Sequence, residues 1–161
     1  MSGTLVRKAS GEDVPLILSF IRELAEYENL YHEVVATEET LRANLFGERQ
    51  FAEVLIAEHD GTPAGFALFF HNFSTFLGRP GIYLEDLYVK PELRGAGIGK
   101  KLLIHLARLA TDRGCGRLEW WVLDCNAPTI GFYEKLGAVA MDDWTVYRLA
   151  GAPLDDLAAK A

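Results

Sequence analysis

Six residues, Arg94-Gly95-Ala96-Gly97-Ile98-Gly99, carry the clearest chemical signal in this chain. Glycines let main-chain N–H groups turn toward a ligand and let that ligand approach the backbone closely. From Ile98 the apolar residues recur as Leu102, Leu103, Leu106, Leu109 and Ala110, the spacing of one helix face. The turn therefore opens a helix, whose first amides lack partners and whose N-terminus is partly positive. Arg94, Lys100 and Lys101 add formal charge. The chemistry of such a turn is the binding of a phosphate or diphosphate. Two familiar phosphate loops fail here. A Walker loop needs G-x-x-x-x-G-K-[ST], but Arg94 replaces its first glycine and Lys101 its Ser/Thr; a dinucleotide fingerprint needs G-x-G-x-x-G, and Lys100 occupies its third glycine.

The elements that must position this turn are legible on both sides of it. Residues 82–89 (IYLEDLYV) alternate and are rich in aromatic and branched residues, which predicts a strand that Pro91 ends. Earlier, 4–9 predicts a strand and 14–25 an amphipathic helix capped by Ser10 or Asp13; Thr37 caps a short helix over 38–45 that Gly47 stops. Two strands, 52–58 and 62–71, flank the Asp60-Gly61 turn, and 73–81 reads as a loop. After the glycine turn come its helix to about Arg113, a buried-type strand over 117–124, and a helix opened by Asn126 and Pro128 and closed by Gly137. Two final strands, 138–141 and 145–149, surround Asp142-Asp143, and 153–161 is a tail with some helical character.

Composition bounds the function. A chain of 161 residues, half of them hydrophobic, is most simply one domain with one core. The net charge of -7 disfavours a nucleic-acid binder and suits a cationic substrate. Cys115 and Cys125 form no C-x-x-C, and His32, His59, His71 and His105 have no metal-ligand spacing, so no metal is expected. No apolar run approaches the ~20 residues of a membrane span and no leader pattern appears, which predicts a cytoplasmic protein without a membrane partner.

The pattern R-x-x-G-x-G, placed strand–turn–helix, resembles the pyrophosphate loop of the GNAT acetyltransferase superfamily. The segment N-x-P-x-x-x-F-Y-x-K-x-G, from Asn126 to Gly137, resembles that family's cofactor-arm segment. ELAEYE (23–28), YLEDLYV (83–89), RGAGIG (94–99) and NAPTIGFY (126–133) are similar to its spermidine/spermine and thialysine acetyltransferase branch. The resemblance implies one α/β (α+β) domain over 1–161, a mixed, mostly antiparallel sheet of about seven strands flanked by four helices. It implies acetyl-CoA as acetyl donor, held by Leu87, Tyr88, Val89, Arg94, Gly95, Ala96, Gly97, Ile98, Gly99, Lys100, Asn126, Pro128, Thr129 and Tyr133. It also implies a small amine as substrate, met by Tyr27, Glu28, Glu85, Glu119, Trp120 and Trp121, and a homodimer.

The chemistry explains these groups. An alkylamine has a pKa near ~10.4 and must lose a proton before it attacks a thioester. Glu85, beside the carbonyl contacts that the resemblance implies, is the candidate base, and strand alternation sends Asp86 to the opposite face. Main-chain N–H of Leu87 or Val89, where the resemblance implies a bulge, stabilises the oxyanion, and the phenol of Tyr133 returns a proton to the leaving thiolate. The expected activity is N-acetylation of a polyamine, diamine or thialysine-like amino acid. Two alternatives stay open: an acyl-CoA-binding regulatory module without turnover, and an acetyltransferase for a protein lysine or N-terminus. The Trp120-Trp121 pair and the short 138–144 loop depart from the branch on the acceptor side alone.

Overall fold

The apolar alternations and caps become β1 (Thr4–Lys8), α1 (Val14–Tyr27), α2 (Glu38–Phe46), β2 (Glu53–His59), β3 (Thr62–Ser74), β4 (Arg79–Val89), α3 (Ile98–Asp112) and β5 (Leu118–Trp120). The computed structural model from which this is taken describes residues 3–161. Local chemistry accounts for several boundaries. The Thr37 hydroxyl accepts from the Thr40 N–H at 3.1 Å, and the Thr40 hydroxyl accepts from the Thr37 N–H at 2.9 Å, a reciprocal cap for α2. Asp60 (φ 50°) and Gly61 (φ 78°) both enter the left-handed region, as a two-residue hairpin between β2 and β3 requires. Asp13, which precedes α1, accepts two hydrogen bonds from the Arg7 guanidinium of β1. That pairing holds the Asp13 carboxyl below its ordinary range.

These elements form a first compact unit that runs to Trp121. Its sheet has the order β1-β2-β3-β4-β5, antiparallel except where β4 and β5 run parallel with α3 as their crossover. One face packs under α1 and α2, where Ile17, Phe20, Leu45, Val54, Ile56, Phe66 and Tyr88 are buried together. Helix α3 contributes its own buried stripe, Leu102, Leu103, Leu106 and Ala110. Phe66 is fully buried and stacks on Phe20 at 5.4 Å, so Phe66→Ala should destabilise the protein by about 3–5 kcal/mol in denaturant unfolding, whereas an exposed Phe76→Ala should change little.

The second unit, Val122–Ala161, holds α4 (Ala127–Lys135) and α5 (Ala152–Ala158). Gly137 (φ 92°) ends α4 through Gly137 N–H to the Glu134 carbonyl and Ala138 N–H to the Tyr133 carbonyl.

Five expectations are corrected. Among the described residues the sheet has five strands, not about seven, and there are five helices, not four. The 138–141 and 145–149 segments form no ladder, although the Trp144 N–H to Met141 carbonyl bond closes the turn at Asp142-Asp143. Alternation makes a segment able to be a strand, but only a hydrogen-bonded neighbour makes it one. Residues 117–124 contribute just three residues of β5, paired with Ile82–Leu84. Finally, the 73–81 loop shrinks to 75–78, because the β3–β4 ladder continues through Phe73–Pro80 and Ser74–Arg79 and tolerates Pro80 at a strand end.

Candidate active site

Strand β4 carries the site of the first unit. Its pairing with β3 slips by one residue: Leu68 lies opposite Asp86 and Phe69 opposite Leu84, so Glu85 is an extra residue, a β-bulge. The slip resets the alternation. Tyr83, Asp86 and Tyr88 lie opposite Phe70, Leu68 and Phe66, which share one face of β3. Asp86 is thereby turned toward the face that α1 and α2 cover, and Glu85 is left exposed. The expected bulge at Leu87 or Val89 is displaced to Glu85; Leu87 and Val89 keep regular partners, Ala67 and Gly65.

The bulge gathers carboxylates. Burial, then the charges of Glu85 and Glu28, push the Asp86 carboxyl up to about 7. Burial also raises Glu28, the residue that closes α1. Tyr83 is pushed up to about 12 by burial and by the charges of Glu85, Asp86 and Glu119. Glu85 is exposed and Asp86 is partly enclosed, and the charges of both raise Tyr83. Beyond Tyr83 the Glu119 carboxylate accepts from Asn72 Nδ2 at 3.2 Å, and Trp121 meets the Tyr83 ring edge-on at 5.8 Å. Phe70 packs on the other side of Tyr83 at 5.1 Å. An aromatic and acidic strip of this composition can hold a cationic chain.

The ladder from β4 to β5 ends at Leu84, so among the described residues no sheet strand pairs with that edge of residues 85–89. An edge of this kind can pair with an extended, amide-bearing ligand. It runs straight into the glycine turn. Gly95 (φ 90°) and Gly97 (φ 77°) are both left-handed, and nothing lies within 4 Å of where a side chain would stand at either. The first hydrogen bond of α3 is Lys101 N–H to the Gly97 carbonyl, which leaves the amides of Ile98, Gly99 and Lys100 pointing out of the helix end. These features fit the diphosphate and amide-bearing arm of a CoA ester. Arg94, Ala96 and Lys100 are exposed beside them. The side chains of Tyr88 and Ile98 are 4% and 2% exposed in the core, so only their main chains are free to meet a ligand.

Of the residues expected to meet the acceptor, Trp121 is exposed, Trp120 is half-buried, and Tyr27 lies under the Arg94 guanidinium with 4.7 Å from the guanidinium carbon to the ring centre. The second unit holds Asn126, Pro128, Thr129 and Tyr133. Asn126 precedes α4 but makes no side-chain capping bond, so its amide is not consumed as a cap. Tyr133 packs on Phe132 with ring centres 5.6 Å apart. Sequence reasoning sent Asp86 to the opposite face and did not single out Tyr83 as a candidate. The available signal was the pair of adjacent carboxylates in an otherwise apolar strand, which a bulge separates from the ladder.

The acetyltransferase (GNAT) family profile matches residues 21–138. This chain belongs to that family. It is an N-acetyltransferase: the thialysine N-epsilon-acetyltransferase of Bos taurus is 42% identical over 99% of this chain and all of its own, and the L-ornithine N5-acetyltransferase of Arabidopsis thaliana is 34% identical over 92% of this chain and 85% of its own. Among solved structures, an integron cassette protein from V. cholerae shares the fold with a TM-score of 0.80 and 28% identity, covering 96% of this chain and 97% of that one.

Proposed function

We propose that the protein transfers the acetyl group of acetyl-CoA to a primary amine of a small dicationic acceptor, such as a diamine or a thialysine- or ornithine-like amino acid. The observation that carries this reading is the bulge, which gathers Glu28, Glu85 and Asp86 beside a strand edge leading into the glycine turn. The names of the relatives support the acceptor class.

Each residue then has a task. Bound acetyl-CoA supplies the acetyl thioester. The outward amides of α3 and the Arg94 guanidinium hold its diphosphate, and the main chain of Leu87 and Val89 pairs with its arm. The resemblance of residues 126–137 to the family's cofactor-arm segment supports Asn126, Pro128 and Thr129 as further contacts of the arm. Glu28 and Glu119, with the Tyr83 and Trp121 rings, hold the distal charge of the acceptor. Asp86 takes the proton from the reacting ammonium, with Glu85 beside it as the carboxylate that keeps its basicity high. A main-chain N–H of β4 takes up charge on the carbonyl oxygen, and the Tyr133 hydroxyl donates a proton to the departing sulfur. A carboxyl near 7 suits this work, because it is partly ionised at neutral pH yet basic enough to accept a proton.

The test is turnover. Release of free thiol from acetyl-CoA should depend on a diamine or a basic amino acid, and should be weak with a neutral amine of equal length. Tight CoA binding with no turnover on any amine would instead make the chain an acyl-CoA-binding module. Within an active enzyme, Glu28→Gln should raise the diamine KM by about tenfold while leaving the KM of a neutral amine within twofold, the difference expected when one half-buried charge partner is removed. An unchanged diamine KM would remove Glu28 from the acceptor site.

A further inference from the structure

We propose that Tyr27 is a positioning residue for the cofactor's diphosphate, acting through Arg94. This rests on the reading of the glycine turn as the diphosphate site. The Arg94 side chain is held at two points. Its Nε donates to the Val89 carbonyl at 2.9 Å, and its guanidinium lies over the Tyr27 ring at 4.7 Å and the Tyr88 ring at 5.7 Å. Stacking uses the face of the guanidinium, and the Val89 bond uses its Nε edge. The two terminal nitrogens remain as a fork of donors, the geometry that binds a phosphate in bidentate fashion.

An exposed arginine otherwise gives up much of its rotamer entropy when a ligand fixes it. Here that ordering is done before the ligand arrives, so binding loses less. The platform is itself braced. Glu23 stands one helical turn before Tyr27 on α1, and its carboxylate meets Lys90 Nζ at 3.7 Å, which ties the same helix face to the exit of β4. Tyr88, the second ring under Arg94, is fixed in the core against Phe20 at 6.0 Å. Tyr27 is thus tied to the loop side of the site, while its neighbour Glu28 acts on Asp86 at the bulge. The end of α1 serves both substrates with consecutive residues.

The test uses calorimetric titration of the full chain with CoA and, separately, with pantetheine, which lacks the diphosphate. Tyr27→Leu and Tyr27→Ala should weaken CoA about two- to fivefold, the factor a single cation–π contact at an exposed site supports. Tyr27→Phe keeps the ring and should restore wild-type affinity. Arg94→Ala should weaken CoA further, and adding Tyr27→Ala to it should cost nothing more. Pantetheine binding should be indifferent to all five variants, the double one included. If Arg94→Ala weakens CoA while Tyr27→Ala does not, or if Tyr27→Ala weakens pantetheine as much as CoA, Tyr27 is not a positioning residue. If Arg94→Ala leaves CoA affinity unchanged, the diphosphate reading of the loop is itself overturned.

Discussion

Tyr133→Phe should lower kcat by at least a hundredfold and leave the Kd for CoA within about twofold. The change deletes one hydroxyl and keeps the ring that packs on Phe132. A general acid contributes about 10²–10⁴-fold to rate, so the loss should fall in that range. The reason for a large effect is the leaving group. A thiolate expelled without a proton rebonds easily, whereas a phenol within hydrogen-bond reach can protonate it as the bond breaks. The discriminating measurement is the pair of numbers, turnover by thiol release and affinity by calorimetry. Parallel losses in both would mean that the hydroxyl supports the architecture of α4 and takes no part in the transfer.

Asp86→Asn should show two linked effects of comparable size. First, kcat/KM of the wild type should rise with pH through about 7, following ionisation of Asp86, and the variant should lose about a hundredfold or more together with that limb. Glu85→Gln or Glu28→Gln should move the limb to lower pH, since each removes a negative neighbour that keeps Asp86 protonated. Second, stability should respond. The folded-state carboxyl titrates near 7 and its ordinary value is 3.8. Between those values the folded chain holds a proton that the unfolded chain has released. The Asp86 contribution therefore makes the protein less stable as pH rises from about 4 to 7, with no further change above. Asparagine has no proton to lose. The melting temperature of the variant minus that of the wild type should grow across this window and then level off. Melting curves that differ by a constant from pH 4 to 8 would show that Asp86 titrates at an ordinary pH and is not the buried base.

The two effects bear on one another. Enclosing a carboxylate beside two others lowers stability at neutral pH, and under the proposed mechanism the same enclosure would tune it to take a proton from an amine. A dicationic acceptor would relieve the repulsion among Glu28, Glu85 and Asp86 while bound. That is the physical sense of an acidic site whose charged neighbours act on one another even without substrate.

The sequence by itself determined the parts whose information is local. RGAGIG could be read as an anion-binding turn because left-handed backbone at Gly95 and Gly97 and a helix start at Ile98 are properties of adjacent residues. The Thr37–Thr40 cap, the Asp60-Gly61 hairpin and the apolar stripes of α1 and α3 were legible for the same reason. The open edge of β4 and the carboxylate cluster were decided only by tertiary structure. A bulge depends on how β4 registers against β3, which lies about fifteen residues away along the chain, and one extra residue reverses every later side chain. The same dependence removed two expected strands: residues 138–149 have the residue types of a hairpin, but a ladder needs a partner that no short segment encodes. Arg94 illustrates both levels, since its charge was evident beside the glycines, while the ring of Tyr27 that orients it comes from a helix sixty-seven positions earlier, brought there by packing alone.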